Sequence, residues 1–351
     1  MDRLISVYCL RFFIMGCTVL AGGQWGDEGK GKIISALALK DEPSAIARAG
    51  VGPNAGHTIY YKGKKLGLRE IPCGFVQEKA ELYIGAGVLV DPEVFFKEID
   101  ATGTKGRIFV DKRCTIITPE HKRLDLAPDL KGKIGTTGTG CGPANSDRAL
   151  RRAKLAQEVP ELAEFLADVP VEVNKFLDKK KDVLVEGTQG SLLSLYYGYE
   201  YPFVTSKDTN ASTFAADVGI GPRRVDEVIV VFKSYPSRVG NGPFPSQMTK
   251  ERANELGIHE YGTVTGRERA SGEFDFDLAR YSCMLNSATQ IAITCLDYVD
   301  RSITGASEAK QLTPKAKAFV DKVEKELKVP VTLLGTGPET NHIIDLRDEK
   351  L

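Results

Sequence analysis

The segment 22-GGQWGDEGKGK-32 has the glycine density and the Gly29-Lys30 pair of a phosphate-binding loop. A standard P-loop reads G-x-x-x-x-G-K-[ST], with the Ser or Thr hydroxyl on magnesium. Here five residues instead of four separate Gly23 from Gly29, and Gly31 stands where the hydroxyl belongs. Asp27 and Glu28 place negative charge where an incoming phosphate would sit. The apolar run 17–21 reads as a strand entering this loop, and 32–40 as a helix leaving it. Strand, glycine loop and helix together make a P-loop-NTPase-like start to an α/β fold.

Further apolar runs at 81–84, 182–186, 227–232, 290–294 and 329–335 each end in a glycine-rich or polar loop. Val, Ile and Leu without alternation suit strands buried on both faces of a parallel sheet. Ligands gather at the carboxyl ends of such strands. The expected fold is therefore a large, mostly parallel central sheet flanked by helices, with ligand loops at the strand C-terminal ends. Helices are expected over 149–166, 171–181 and 306–328, with Lys179, Lys180 and Lys181 as a solvated helix end. No linker, low-complexity tract or internal repeat divides the chain, so 15–351 reads as one domain.

The 351 residues carry 47 Lys+Arg and 47 Asp+Glu, a net charge of zero that excludes nucleic-acid binding through a global basic field. Seven scattered cysteines without a C-x-x-C pair point to free thiols in a reducing, cytoplasmic setting. Residues 1–14 faintly resemble a signal peptide. Arg11 interrupts the apolar run and no small-residue cleavage site follows, so they read as a poorly specified extension upstream of Met15. No run of 18 apolar residues exists, which argues against a membrane span.

Several loops carry residues suited to chemistry. In 50-GVGPNAGHT-58 the histidine is either a surface group on a tight turn or an acid placed beside a ligand. His121, His259 and His342 lie in ordinary polar surroundings and read as surface residues. The loop 135-GTTGTGCGP-143 offers successive backbone N–H groups and hydroxyls for an anion, with Arg148, Arg151 and Arg152 just beyond it. Arg267 and Arg269 lie on 263-TVTGRERASG-272, either as a solvated loop or as forks for a carboxylate and a phosphate. Thr294-Cys295-Leu296-Asp297, after a strand, is similar to the element in which an aspartate reads guanine.

Nine elements occur in order: QWGDEGKGK, PNAGHT, IGTTGTGCGP, EGTQG, YPFVTS, RVGNGPFP, TGRERASG, CLD and GTGP. Together they resemble the adenylosuccinate synthetases, enzymes that use GTP to join L-aspartate to IMP through 6-phosphoryl-IMP. The resemblance implies a catalytic group of Asp27 (proton acceptor), His57 (proton donor), Lys30 and Gln189. It implies one magnesium ion per site, on Asp27 and the Gly56 carbonyl. For GTP it implies Gly26, Asp27, Glu28, Gly29, Lys30, Gly31 and Lys32, then Gly56, His57 and Thr58. Arg269, Cys295, Leu296, Asp297, Gly335, Thr336 and Gly337 complete that set. For IMP it implies Asp27, Lys30, Asn54, Ala55, Gly56, His57, Thr137, Gln189, Thr205 and Arg267. Arg151 would come from the second subunit of a homodimer. For aspartate it implies Thr263, Val264, Thr265, Gly266, Arg267, Glu268 and Arg269.

Three departures from the family pattern stand out. Cys295 replaces a lysine whose stem stacks on guanine, which opens the question of GTP against ATP. Thr139 stands where an arginine often follows GTTG. The spacings from Arg151 to Gln189 and from Asp297 to Gly335 are short, as in a compact archaeal-type member. A GTP-binding regulatory switch is the alternative, and a carboxylate-activating ligase of the dethiobiotin synthetase type a third reading. A switch has no use for the GTTG and Arg267/Arg269 loops, and the ligase would lack PNAGHT together with TGRERASG.

Overall fold

The computed structural model describes residues 16–238, 240–259 and 269–351. Its centre is a ten-stranded sheet whose order begins Ile343–Asp345, Val331–Gly335, Gln290–Thr294, Val225–Lys233 and Cys17–Gly22. It continues through Val183–Glu186, Ala45–Arg48, Glu81–Ile84, Ile108–Asp111 and Leu166–Ala167. Every pairing is parallel except that of the edge strand Ile343–Asp345 with Val331–Gly335.

Alternation along these strands divides the apolar side chains between two cores. Val19, Ala47, Val185 and Val230 pack on one face with the helices Val169–Asp178, Ala211–Asp217, Phe276–Asn286 and Pro314–Leu327. Leu20, Ile46, Leu184 and Ile229 pack on the other with Lys30–Asp41 and Pro92–Thr102. Burial on both faces explains why the strands read as unbroken apolar runs. The loops after Gly22, Arg48, Glu186, Lys233, Thr294 and Gly335 all leave carboxyl ends of parallel strands, so they meet on one side of the sheet.

Some expected elements fall elsewhere. The helix placed over 149–166 is instead the helix Cys141–Ala149, followed by the short 3-10 turns Ala156–Glu158 and Pro160–Phe165. Arg151 turns left-handed (φ 63) just after the helix, and Pro160 opens the second turn, so helical periodicity in composition does not become one helix. The helix expected from 306 begins only at Pro314, capped by Thr313, whose hydroxyl accepts from the Ala316 N–H. The run Lys179–Lys181 lies exposed just past the helix ending at Asp178. His121 is not a surface residue: it is buried in a capping box with Thr118, and its Nε2 lies 3.2 Å from Asp147 Oδ2. Cys17, Cys73, Cys114, Cys141 and Cys283 are free, buried thiols. Among those residues no helix is long and apolar enough to cross a membrane. The extension 1–14 lies outside the described residues.

Candidate active site

The opening loop solves its charge conflict by turning its two acids apart. Gly26 (φ 87), Asp27 (φ 63) and Gly29 (φ 83) all adopt left-handed conformations. For a non-glycine residue such a backbone costs roughly 1–2 kcal/mol, a cost Asp bears more readily than most. Glu28 turns inward, fully buried, and its Oε1 accepts from the N–H groups of Gln24 (3.0 Å) and Gly26 (2.9 Å). Its Oε2 lies 2.5 Å from Lys30 Nζ, a buried ion pair. The Glu28 carboxylate thus braces the loop and does not line the pocket, which leaves its backbone N–H as the group it can offer a nucleotide. Asp27 turns the other way and lines the pocket, its Oδ1 3.1 Å from Arg269 Nη2.

The helix Lys30–Asp41 starts directly behind this loop without a side-chain cap, so its first N–H groups and its dipole face the pocket. Gly31 is its second residue, and a Cβ there would lie 2.9 Å from Cys73 Sγ and 3.0 Å from His57 Cβ. No Ser or Thr fits. The missing P-loop hydroxyl follows from the packing of this helix on the histidine strand. Lys32 is buried, and its ammonium donates to the carbonyls of Gly337 (2.7 Å) and Glu339. Burial lowers its pKa to about 8 against the pull of Cys295, Asp297 and Glu339. Lys32 therefore ties the first helix to the GTGP loop.

One cavity of about 1030 Å³ collects these loops. Of the expected nucleotide-binding residues, Gly26, Asp27, Gly29, Lys30, Gly31 and Lys32 line it, as do Gly56, His57, Thr58, Arg269, Cys295 and Gly337. Of those expected at IMP, Asn54, Ala55, Thr137, Gln189 and Thr205 also line it. The Thr205 hydroxyl joins two of them, accepting from Gln189 Nε2 (2.7 Å) and Asn54 Nδ2 (3.4 Å). Asn54 Oδ1 is buried without a hydrogen-bond partner, an acceptor that a ligand donor could satisfy.

Other expected residues stand back. Leu296 is wholly in the core, and Thr336 is buried with its hydroxyl donating to Ala306 O at 2.6 Å, so neither side chain reaches the cavity. Gly335 and Asp297 do not line it either. Asp297 is buried, 3.4 Å from Arg301 Nη1, and burial raises its pKa against the Arg301 and Lys32 charges. Arg148, Arg151 and Arg152 are exposed and do not line this chain's cavity; Arg152 pairs with Asp147 at 2.8 Å. Thr263, Val264, Thr265, Gly266, Arg267 and Glu268 lie outside the described residues.

His57 is buried, which removes the surface-turn reading. Its Nδ1 lies 2.5 Å from Glu186 Oε1 and 2.9 Å from Arg48 Nη1. Burial and then Arg48 push the imidazolium pKa down to about 4, against the Glu186 bond. Sequence reasoning missed both partners. The available signal was a charged residue closing each of two buried apolar strands, Ala45–Arg48 and Val183–Glu186. His57, Cys73 and Glu186 place ligand atoms within 4.8 Å of one another. Magnesium prefers oxygen donors, and the cation seated at Glu186 is Arg48, with Nη1 2.5 Å from Oε1. The Asp27 carboxylate and Gly56, both lining the cavity, fit magnesium better because they offer oxygen beside a phosphate-binding helix start.

A glycine loop at a helix N-terminus, with a second polar cluster in the same cavity, defines a P-loop-like nucleotide enzyme with room for another substrate. The family model for adenylosuccinate synthetase matches residues 19–160 and 152–302. The adenylosuccinate synthetase of Methanocaldococcus jannaschii is 59% identical over 343 residues, 97% of this chain and 99% of that protein. That of Archaeoglobus fulgidus is 59% identical over 338 residues, 96% of this chain and all of that protein. The structure of the fully ligated adenylosuccinate synthetase from Plasmodium falciparum matches with a TM-score of 0.86 at 26% identity, covering 93% of this chain and 99% of that one. The chain belongs to the adenylosuccinate synthetase family. Its reaction is the GTP- and magnesium-dependent ligation of aspartate to IMP.

Proposed function

We propose that the cavity described above performs the ligation with a division of labour among these residues. Asp27 takes the proton from N1 of IMP, and the 6-oxygen so activated attacks the γ-phosphorus of GTP, releasing GDP. Lys30 and His57 offset the charge of the transferring phosphoryl group. The aspartate amine then forms a bond to C6, the phosphate departs with the C6–O bond, and the amine gives up a proton. Asn54, Thr205 and Gln189 hold IMP, while Asp297 reads the guanine from behind Cys295. The loop 263–269 takes the aspartate, with Arg267 also reaching IMP. Asp27 and the Gly56 carbonyl would hold magnesium, which supplies charge neutralisation at the phosphate oxygens.

The observation that carries this reading is the shared cavity. The phosphate-binding helix start, the Asp27 carboxylate and the Asn54–Thr205–Gln189 cluster line one space. At about 1030 Å³ it exceeds what one drug-sized ligand needs. The exposed Arg151 is free of this chain's own cavity, which supports its reaching a neighbour's site in a homodimer. A single 15–351 unit working in the cytoplasm completes the proposal. The test is phosphate release from GTP, expected only when IMP and aspartate are both present. Release from GTP alone, indifferent to the other two, would favour a GTP-binding switch and overturn the proposal.

A further inference from the structure

Glu186 closes the central strand Val183–Glu186 at its carboxyl end, where the loops meet, and its side chain has no exposure. Oε2 accepts from the Cys73 N–H at 2.6 Å. Oε1 lies 2.5 Å from both His57 Nδ1 and Arg48 Nη1, which are themselves 2.9 Å apart. Proton placement in this triangle is constrained. A bare Nδ1 would set its lone pair against a carboxylate lone pair at 2.5 Å, so a proton lies between them. Nδ1 is then a donor, and the Arg48 Nη1 hydrogen goes to Glu186. The other Arg48 nitrogen, Nη2, donates to the carbonyls of Ala55 (2.9 Å) and Arg69 (3.2 Å), fixing the guanidinium on the loop that carries His57.

One ring atom remains. His57 Nε2 is buried without a hydrogen-bond partner, on a ring that lines the cavity. With Nδ1–H held by Glu186, Nε2 is the only ring nitrogen a ligand can meet, whatever its own proton state. We propose that Glu186, seated by Arg48, is a positioning residue for phosphoryl transfer, fixing the His57 ring so that Nε2 is presented to the transferring group. This rests on the role given to His57 above. A carboxylate on the far nitrogen of a histidine sets tautomer and ring orientation, and behind metal-bound histidines its loss costs ~10–100-fold in function, the scale taken here for His57.

The test has two arms. Long-range 1H–15N spectra of the wild-type protein, with the His57 signal identified by its loss in His57→Asn, are expected to show Nδ1 protonated; a bare Nδ1 overturns the proposal without any variant at position 186. In steady-state kinetics, Glu186→Gln retains size but lets the ring bond either way round. Its kcat is expected to fall about 10–100-fold, with KM for GTP and for IMP changing less than about threefold because the substrate contacts stay. In a His57→Asn background the same change should cost nothing further. An equal cost in both backgrounds, or a loss expressed in KM, would mark Glu186 as structural and overturn the proposal alone. Wild-type kcat in His57→Asn would overturn the role of His57 as well.

Discussion

Replacing Gly31 with Ser restores the residue that a standard P-loop carries, and the two readings of this loop predict opposite results. If Gly31 were merely a missing magnesium hydroxyl, Ser would be neutral or helpful. The structure instead places the new Cβ 2.9 Å from Cys73 Sγ, 3.0 Å from His57 Cβ and 3.3 Å from Ile59 Cγ2. Overpacking of this kind costs about 1–3 kcal/mol. Leaving glycine at a helical position returns up to ~1 kcal/mol. The net expectation is a destabilisation of about 0–3 kcal/mol, with the strain relieved partly by moving the His57 backbone. A shift of 1 Å in a reacting group can cost on the order of 100-fold, so a few tenths of an ångström should lower kcat roughly tenfold.

The assay pairs initial rates of phosphate release, with GTP, IMP and aspartate all present, with thermal unfolding. Gly31→Ala should behave like Gly31→Ser, since the first carbon is what collides. Adding Cys73→Ala removes the sulfur contact but leaves that with His57, so it should recover melting temperature and not kcat. A Gly31→Ser enzyme that melts above wild type and turns over at the wild-type rate would refute the steric account.

Asp27→Asn should abolish turnover while GTP still binds, because the amide cannot take the N1 proton; near-normal rates would remove Asp27 from the chemistry. Trp25 is the sole tryptophan, lines the cavity and stacks edge-on against Phe244 with centroids 4.9 Å apart, so nucleotide binding should change its emission. A spectrum indifferent to saturating GTP and IMP would place both ligands away from this loop. Asp345 is half-buried, which raises its pKa, but the Arg347 contacts and then Lys40 outweigh that and bring it down to about 2. Because the folded value lies below the unfolded one, the stabilisation is complete above pH ~4 and is lost as pH falls toward 2, about 2 kcal/mol in all. Urea titrations should show this loss in wild type and not in Asp345→Asn. If Asp297 reads guanine, Asp297→Asn should narrow the preference for GTP over ATP; an unchanged ratio would assign base selection to other groups.

The sheet was legible because its strands are buried on both faces, and burial on both faces leaves an unbroken apolar signature. Gln290–Thr294 and Glu81–Ile84 occur where their runs place them. The helix expected at 149–166 was not legible, since composition records an average preference and not the left-handed Arg151 that ends the helix before it. Glycine-rich loops carried most of the site, because a close backbone approach leaves a mark in the sequence. Side-chain direction left none: nothing in DE distinguishes Asp27, turned to the cavity, from Glu28, turned to the loop's own amides. Arg48 and Glu186 escaped for a related reason. Each looks like the polar end of a strand, and only the fold brings residues 138 positions apart within 2.5 Å.

These contacts give the irregular opening loop a physical rationale. A helix that packs its second residue on the strand carrying His57 has no room for a side chain at position 31, so a magnesium hydroxyl cannot sit there. A carboxylate one residue ahead of a loop-bracing glutamate can take that place, provided its backbone turns left-handed, as that of Asp27 does at φ 63. The extra residue between Gly23 and Gly29 supplies the length for this turn. Shortening the loop by deleting Trp25 would restore P-loop spacing. It should nevertheless destroy function, because Glu28 would lose its amide partners at Gln24 and Gly26 and release Lys30. A deletion variant that still made adenylosuccinate would show that the spacing, and the acid it accommodates, are incidental.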